Sequence, residues 1–90
     1  MNIKYSATFK KQYKKTPKKI QEKVKERLSL FVKNPTNQLL NNHALTGKYQ
    51  GYRSINITGD RRAIYSIRQD LKLKQEYYFE LVGTHSQLYG

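Results

Sequence analysis

The stretch Gly51-Tyr52-Arg53-Ser54-Ile55-Asn56-Ile57-Thr58-Gly59-Asp60-Arg61-Arg62-Ala63-Ile64-Tyr65-Ser66-Ile67 sets the architecture. Tyr52, Ser54 and Asn56 alternate with Arg53, Ile55 and Ile57. After Thr58-Gly59-Asp60, Arg62, Ile64 and Ser66 alternate with Ala63, Tyr65 and Ile67. A period of two places each set on its own face of a strand, and a Thr-Gly-Asp break between two such runs is a hairpin turn. Gln69-Asp70 turns the chain again. Leu71, Leu73, Tyr77, Phe79 and Leu81 then predict one side of a long third strand.

Upstream the period changes. Residues 2–5 read as a short strand, and Ser6 caps a first helix running to about Lys15, with Phe9 and Tyr13 on its inner side. Thr16-Pro17 is a second helix start, threonine as N-cap and proline in the first helical position. Ile20, Val24, Leu28 and Phe31 then make one apolar stripe, with Lys18, Lys19, Glu22, Lys23 and Lys25 turned away. Asn34-Pro35 ends it. Residues 36–50 read as a polar loop in which Gly47 permits a turn. The expected fold is a single α+β domain over residues 1–90, ordered β-α-α-β-β-β. Its helical hairpin lies on one face of a mainly antiparallel sheet and leaves the other face open.

Composition narrows the functional classes. The chain has 90 residues, a formal net charge of +12 and no cysteine. A domain this small buries roughly 60% of its unfolded surface, so its core is limited. Disulfides and thiolate metal sites are excluded. The N-terminal Met-Asn-Ile-Lys-Tyr-Ser has no apolar run of the kind a secretory signal needs, and a cytoplasmic location is expected. Residues 1–33 hold eleven Lys and Arg against two Glu. That field attracts polyanions: RNA, DNA or an acidic protein.

The only two histidines are His43 and His85. Histidine exchanges protons near neutral pH, so two of them on a basic chain suit a metal-free nuclease. If the strands pair as expected, His85 and Tyr89 reach the rim that carries Asp60. His43 and Lys48 precede the strand of Arg53, and Arg62 lies on its neighbour. Such a patch contains what cleavage by 2′-OH attack needs: a base, an acid, and cations for the phosphorane. Plainer explanations exist for each residue. Asp60 suits a turn, Arg53 and Arg62 suit cross-strand ion pairs, and a terminal His85 can fray. No metal-ligand spacing and no phosphate or dinucleotide loop occurs, so no cofactor is expected.

Four runs resemble the RelE/ParE toxin superfamily, and within it the YafQ branch of mRNA interferases. They are His43-Ala44-Leu45-Thr46-Gly47, Gly51-Tyr52-Arg53-Ser54, Gly59-Asp60-Arg61-Arg62-Ala63-Ile64-Tyr65 and Gly83-Thr84-His85-Ser86-Gln87-Leu88-Tyr89. The last is the most specific. The resemblance implies the toxin of a bacterial type II toxin–antitoxin pair, an endoribonuclease that cuts mRNA in the ribosomal A site and so inhibits translation. It implies His43, Asp60 and His85 as acid–base residues, Tyr89 as the aromatic beside the scissile nucleotide, and Arg53 and Arg62 as phosphate contacts. The partners implied are the ribosome, mRNA and a cognate acidic antitoxin. Where that branch can carry an acid and a further histidine after Tyr-Arg, this chain has Ser54 and Asn56. Two other readings are a gyrase-inhibiting ParE-like toxin and a basic RNA-binding module without catalysis.

Overall fold

A computed structural model describes residues 1–90. The chain runs β1 (Asn2–Tyr5), α1 (Ala7–Lys14), α2 (Lys18–Lys33), β2 (His43–Ala44), β3 (Arg53–Asn56), β4 (Arg61–Gln69), β5 (Gln75–Thr84) and α3 (His85–Tyr89). Single 3-10 turns occupy Gln38–Leu40 and Gly47–Tyr49. The five strands form one sheet in the order β1-β5-β4-β3-β2. β1 pairs parallel with β5, and every other pairing is antiparallel. No helix is long and apolar enough to cross a membrane.

The helical hairpin forms for the expected reasons, with one change. Ser6 caps α1, its Oγ accepting the Phe9 N–H at 2.9 Å while donating to the Glu80 carbonyl at 2.6 Å. Thr16 does not cap α2. Its hydroxyl donates back to the Gln12 carbonyl at 2.8 Å, closing the end of α1, and Pro17 takes the cap position of α2 without a side-chain bond. Val24 and Phe31 bury completely against the sheet, with Ile20 and Leu28 packing partly. Phe31 meets Tyr65, Tyr77 and Phe79 edge-on at centroid distances of 5.0, 5.6 and 5.4 Å. Edge-to-face contacts of this kind add to simple area burial.

The third strand departs from its expected pattern in two places. It begins at Gln75, so Leu71 and Leu73 belong to the preceding turn and are fully or largely exposed. A bulge follows Phe79: Tyr65 pairs with Phe79 but Ile64 pairs with Leu81, leaving Glu80 extra. The bulge breaks the period of two. It keeps both Phe79 and Val82 in the helix-side core and sends Leu81 to the other face.

Two segments contain more structure than a polar loop and a strand end. His43–Ala44 adds a fifth strand at the β3 edge. The C-terminal run forms α3, opened by a capping box: Thr84 Oγ1 accepts the Gln87 N–H at 3.2 Å and Gln87 Oε1 accepts the Thr84 N–H at 2.8 Å. Leu88 is 3% exposed yet lies outside the main core cluster. A side chain on Gly83 would meet Gln87 Oε1 at 2.8 Å and Leu88 Cδ2 at 3.6 Å, which places α3 folded back against the end of β5. The second sheet face is therefore not wholly open.

Replacing Phe31 by alanine removes the ring that three sheet aromatics contact. It is expected to cost about 3–5 kcal/mol, a large part of the ~5–15 kcal/mol that holds a domain folded, measurable by urea unfolding. A second expectation concerns alkaline pH. Burial raises the phenol pKa values of Tyr65 and Tyr5 above the ordinary 10.0. The folded state then keeps these protons longer than the unfolded chain does. The stability they contribute is fully present below pH 10 and is lost as pH rises through the folded values. Unfolding free energy followed from about pH 9 to about pH 11 should fall less steeply in Tyr65→Phe than in the native chain.

Candidate active site

Sheet register sorts the candidate residues by face. Partnered positions share a face, so His43, Ser54, Ile64 and Leu81 form one row across β2 to β5 on the side away from the helices. Asn56, Arg62 and Gly83 form the next row. Ser54 and Ile64 are buried on this face, whereas His43 is exposed at its edge.

His43 has a defined proton arrangement. Its Nδ1 lies 2.8 Å from the Asn41 carbonyl. A carbonyl only accepts, so the neutral ring carries its proton on Nδ1 and leaves the Nε2 lone pair free to take another. Asn41 adopts a left-handed backbone (φ 43°, ψ 49°) that asparagine tolerates better than most residues, and it immediately precedes Asn42 and His43.

Asn42 ties this edge to the core. Its amide donates to the Pro35 carbonyl at 2.9 Å and to Tyr65 Oη at 2.8 Å, while its Oδ1 accepts Arg53 Nε–H at 2.9 Å and the Tyr65 hydroxyl at 3.1 Å. The first of the two Asn42–Tyr65 bonds uses an amide proton and the second uses the phenolic proton. Arg53 is thus drawn to the helix-side face beside Tyr65. The structure does not place it in one patch with Arg62, because adjacent strand positions face opposite ways and Arg53 has the parity of Tyr65.

Arg62 is on the expected face, but its guanidinium is engaged. Nη1 donates to the carbonyls of Thr58, Gly59 and Arg61 at 2.9, 3.2 and 3.0 Å, and Nη2 to that of Gly59 at 3.2 Å. It braces the turn that carries Asp60. Asn56, its cross-strand neighbour, has a buried Oδ1 with no donor.

Asp60 and His85 meet through the backbone. The His85 N–H donates to the Asp60 carbonyl at 3.0 Å, fixing the start of α3 against the β3–β4 turn. The Asp60 side chain is exposed and forms no salt bridge. One helical turn on, Tyr89 stacks on the His85 ring at 4.7 Å with the planes 25° apart. The stack fixes the plane of the imidazole at the start of α3.

The sequence reading gave no part to Tyr49. Its hydroxyl donates to the Leu88 carbonyl at 2.6 Å, and its ring meets that of Tyr89 at 5.2 Å and 88°. Leu88 is in the last turn of α3, where carbonyls have no helical partner, so Tyr49 caps the helix from a different segment. Gly47, at φ +62°, starts the 3-10 turn that delivers it. Lys48, exposed on the same turn, puts its ammonium 5.3 Å from the Tyr49 ring centre. An aromatic residue in an otherwise polar loop was the available signal. For α3, the signal was Thr84-x-x-Gln87, a capping-box pattern.

The structure therefore gathers Asp60, His85, Tyr89, Tyr49 and Lys48 around α3, with Arg62 beneath the adjoining turn and His43 at the edge of the same face. Arg53 stands apart.

Known proteins are similar to this chain along its length. A family model described as "Bacterial toxin of type II toxin-antitoxin system, YafQ" matches residues 1–90. The structure is similar to that of YafQ from E. coli strain BL21(DE3), with a TM-score of 0.79 and 28% identity over 99% of this chain and 98% of that one. It is similar to a chain of the E. coli DinJ-YafQ toxin-antitoxin complex, with a TM-score of 0.74 and 29% identity over 99% and 97%. A YoeB/ParE toxin from Agrobacterium tumefaciens shares the fold, with a TM-score of 0.75 and 20% identity over 94% and 99%. No curated protein matches the chain. With a match along its whole length, the chain belongs to the YafQ family, bacterial toxins of type II toxin–antitoxin systems.

Proposed function

We propose that this toxin is a ribosome-dependent endoribonuclease that cuts mRNA in the A site by acid–base catalysis. The observation that carries the reading is the state of the two histidines. His43 leaves a free Nε2 lone pair, and His85 is fixed at the start of α3 with its ring against Tyr89. One presents a free ring nitrogen, and the other is held in a fixed place beside the Asp60 turn.

The reaction then runs as follows. His43 Nε2 removes the proton of a ribose 2′-OH, and the 2′-oxygen attacks the adjacent phosphorus. The phosphorus–O5′ bond breaks as His85 gives its proton to the leaving 5′-oxygen. The products are a 2′,3′-cyclic phosphate and a 5′-hydroxyl. Tyr89 holds the His85 ring in position and offers its ring edge to a neighbouring base. Asp60 lies beside His85 and is the other candidate base. Lys48, exposed on the turn that delivers Tyr49 to α3, supplies a cation for phosphate, and Arg62 holds the Asp60 turn in place. Arg53 acts indirectly: it orients Asn42, next to His43. Ser54 and Asn56 lack proton-transfer capacity near neutral pH. No metal or cofactor takes part in this scheme.

The lysine-rich outer side of α2 suits docking on ribosomal RNA, and the net charge of +12 suits an acidic antitoxin. The similar E. coli YafQ is known in complex with DinJ. Complementary charge would speed that association more than it deepens the final affinity. The toxin's work on mRNA places it in the bacterial cytoplasm.

The test is primer extension on mRNA in purified translating ribosomes. Cleavage is expected within the A-site codon, and His85→Ala or His43→Ala should each slow it by about 10²–10⁴-fold. Growth arrest by the double variant with mRNA intact would sink the nuclease reading and favour a gyrase target. In the same assay Tyr49→Phe tests the clamp on α3. It deletes one hydrogen bond, at about 1 kcal/mol of stability, and keeps the ring contact. Cleavage should drop about tenfold while the protein stays folded, its unfolding midpoint lower by about 4–8 °C. An unchanged rate would show that α3 holds His85 without Tyr49.

A further inference from the structure

Where β5 passes into α3, the helical hairpin and the sheet end enclose a cleft of ≈ 270 Å³. Gln12 and Lys15 line it from the end of α1, Thr16 from the turn between the helices, Arg61 from β4 and Gln87 from α3. No carboxylate lines it. The site described above does not use it.

The hydrogen bonds decide what this cleft offers. Gln12 Oε1 accepts the Val82 N–H at 2.8 Å, and Gln87 Oε1 accepts the Thr84 N–H at 2.8 Å. A backbone N–H can only donate, so both carboxamides are fixed in orientation and cannot be flipped. Each is left with an NH₂ group that has no partner. Thr16 has already given its proton to the Gln12 carbonyl. The Lys15 ammonium and the Arg61 guanidinium form no salt bridge and no side-chain hydrogen bond. The two amide oxygens are engaged and the Thr16 proton is committed, while two amide NH₂ groups and two full positive charges are left without partners.

A ligand for such a set must be anionic and rich in acceptor oxygens. The donors come from α1, β4 and α3, hence from several directions, which suits a tetrahedral group better than a flat carboxylate. Arginine can also hold two phosphate oxygens at once. We propose that this cleft binds a phosphate group, with Arg61 and Lys15 balancing its charge and the Gln12 and Gln87 amides donating to its oxygens. The group is either free phosphate or one phosphate of an RNA backbone. Only the RNA source rests on the nuclease reading. In that case the strand would be gripped beside α3, the helix that begins with His85, at a point separate from the bond being cut.

The experiment follows the side-chain amide signals of Gln12 and Gln87 in the ¹⁵N-labelled full-length protein. Inorganic phosphate should shift both signals to saturation. Arg61→Gln should weaken that binding about tenfold, as expected for a lost charge-assisted hydrogen bond. Lys72→Gln, an exposed lysine that does not line the cleft, should leave it unchanged. If Arg61→Gln loses the folded spectrum, Lys15→Gln takes its place. A drift without saturation spread over all the lysines, an unaltered curve in Arg61→Gln, or equal saturation by acetate at matched ionic strength would each overturn the proposal. A 2′-O-methylated oligoribonucleotide, which cannot be cut, separates the sources. If RNA is the source, it shifts the same two signals, and Arg61→Gln reduces the salt slope of binding by about 0.7. Signals that answer phosphate but not RNA assign the cleft to free phosphate. Neither arm measures cleavage, so the site and the nuclease reading stand or fall separately.

Discussion

Phe31 reaching edge-on into Tyr65, Tyr77 and Phe79 is the contact on which the rest depends. It fixes which sheet face the helical hairpin covers. Tyr65 then carries the constraint outward, since its ring is in the core and its hydroxyl is bonded to Asn42. Asn42 in turn holds Arg53 and precedes His43. An aromatic core contact thus determines, through one phenol and one carboxamide, where an exposed histidine stands at the far edge of the sheet. A network this compact tolerates little local change, because removing one member leaves buried polar groups without partners.

The other histidine depends on a weaker element. A helix of five residues has almost no stability of its own, since forming the first turn costs more than one hydrogen bond returns. α3 is stable because its surroundings grip it at several points. Its start bonds to the Asp60 carbonyl and closes a capping box, Leu88 is buried against the end of β5, and its last turn accepts from Tyr49. The gripping segments are the β3–β4 turn and the loop after His43. Each of the two histidines is therefore positioned by residues distant in sequence, and the loop that follows His43 also restrains the helix of His85. That arrangement suits the proposed chemistry, in which both groups must hold their places.

The arginines show how a cation's neighbours decide its work. Arg62 spends its terminal nitrogens on the carbonyls of its own turn, and Arg53 spends Nε on Asn42. Both serve to hold backbone or side chain in place. Arg61, adjacent in sequence and without a role in the motif reading, is the arginine left with open donors in a cleft. Charge alone marks all three as candidates for phosphate. The bonds already formed separate them.

Much of the fold was legible from local rules: Ser6 as a cap, the 4-4-3 spacing through Phe31, the stop at Asn34-Pro35, and the Thr58-Gly59-Asp60 hairpin. These signals act within a few residues, and the chain itself carries them. The motif around His85 likewise pointed to the toxin family. The sequence could not show the bulge after Phe79 or the two-residue strand at His43. Nor could it show that Arg53 lies across the sheet from Arg62, or that Tyr49 closes α3. Each of these turns on which distant strand supplies a partner, and one residue of register reverses every side chain's face. Residue types, caps and turns were therefore written in the sequence. Which of the polar side chains share a site was decided by strand pairing and by the hydrogen bonds that pairing allows.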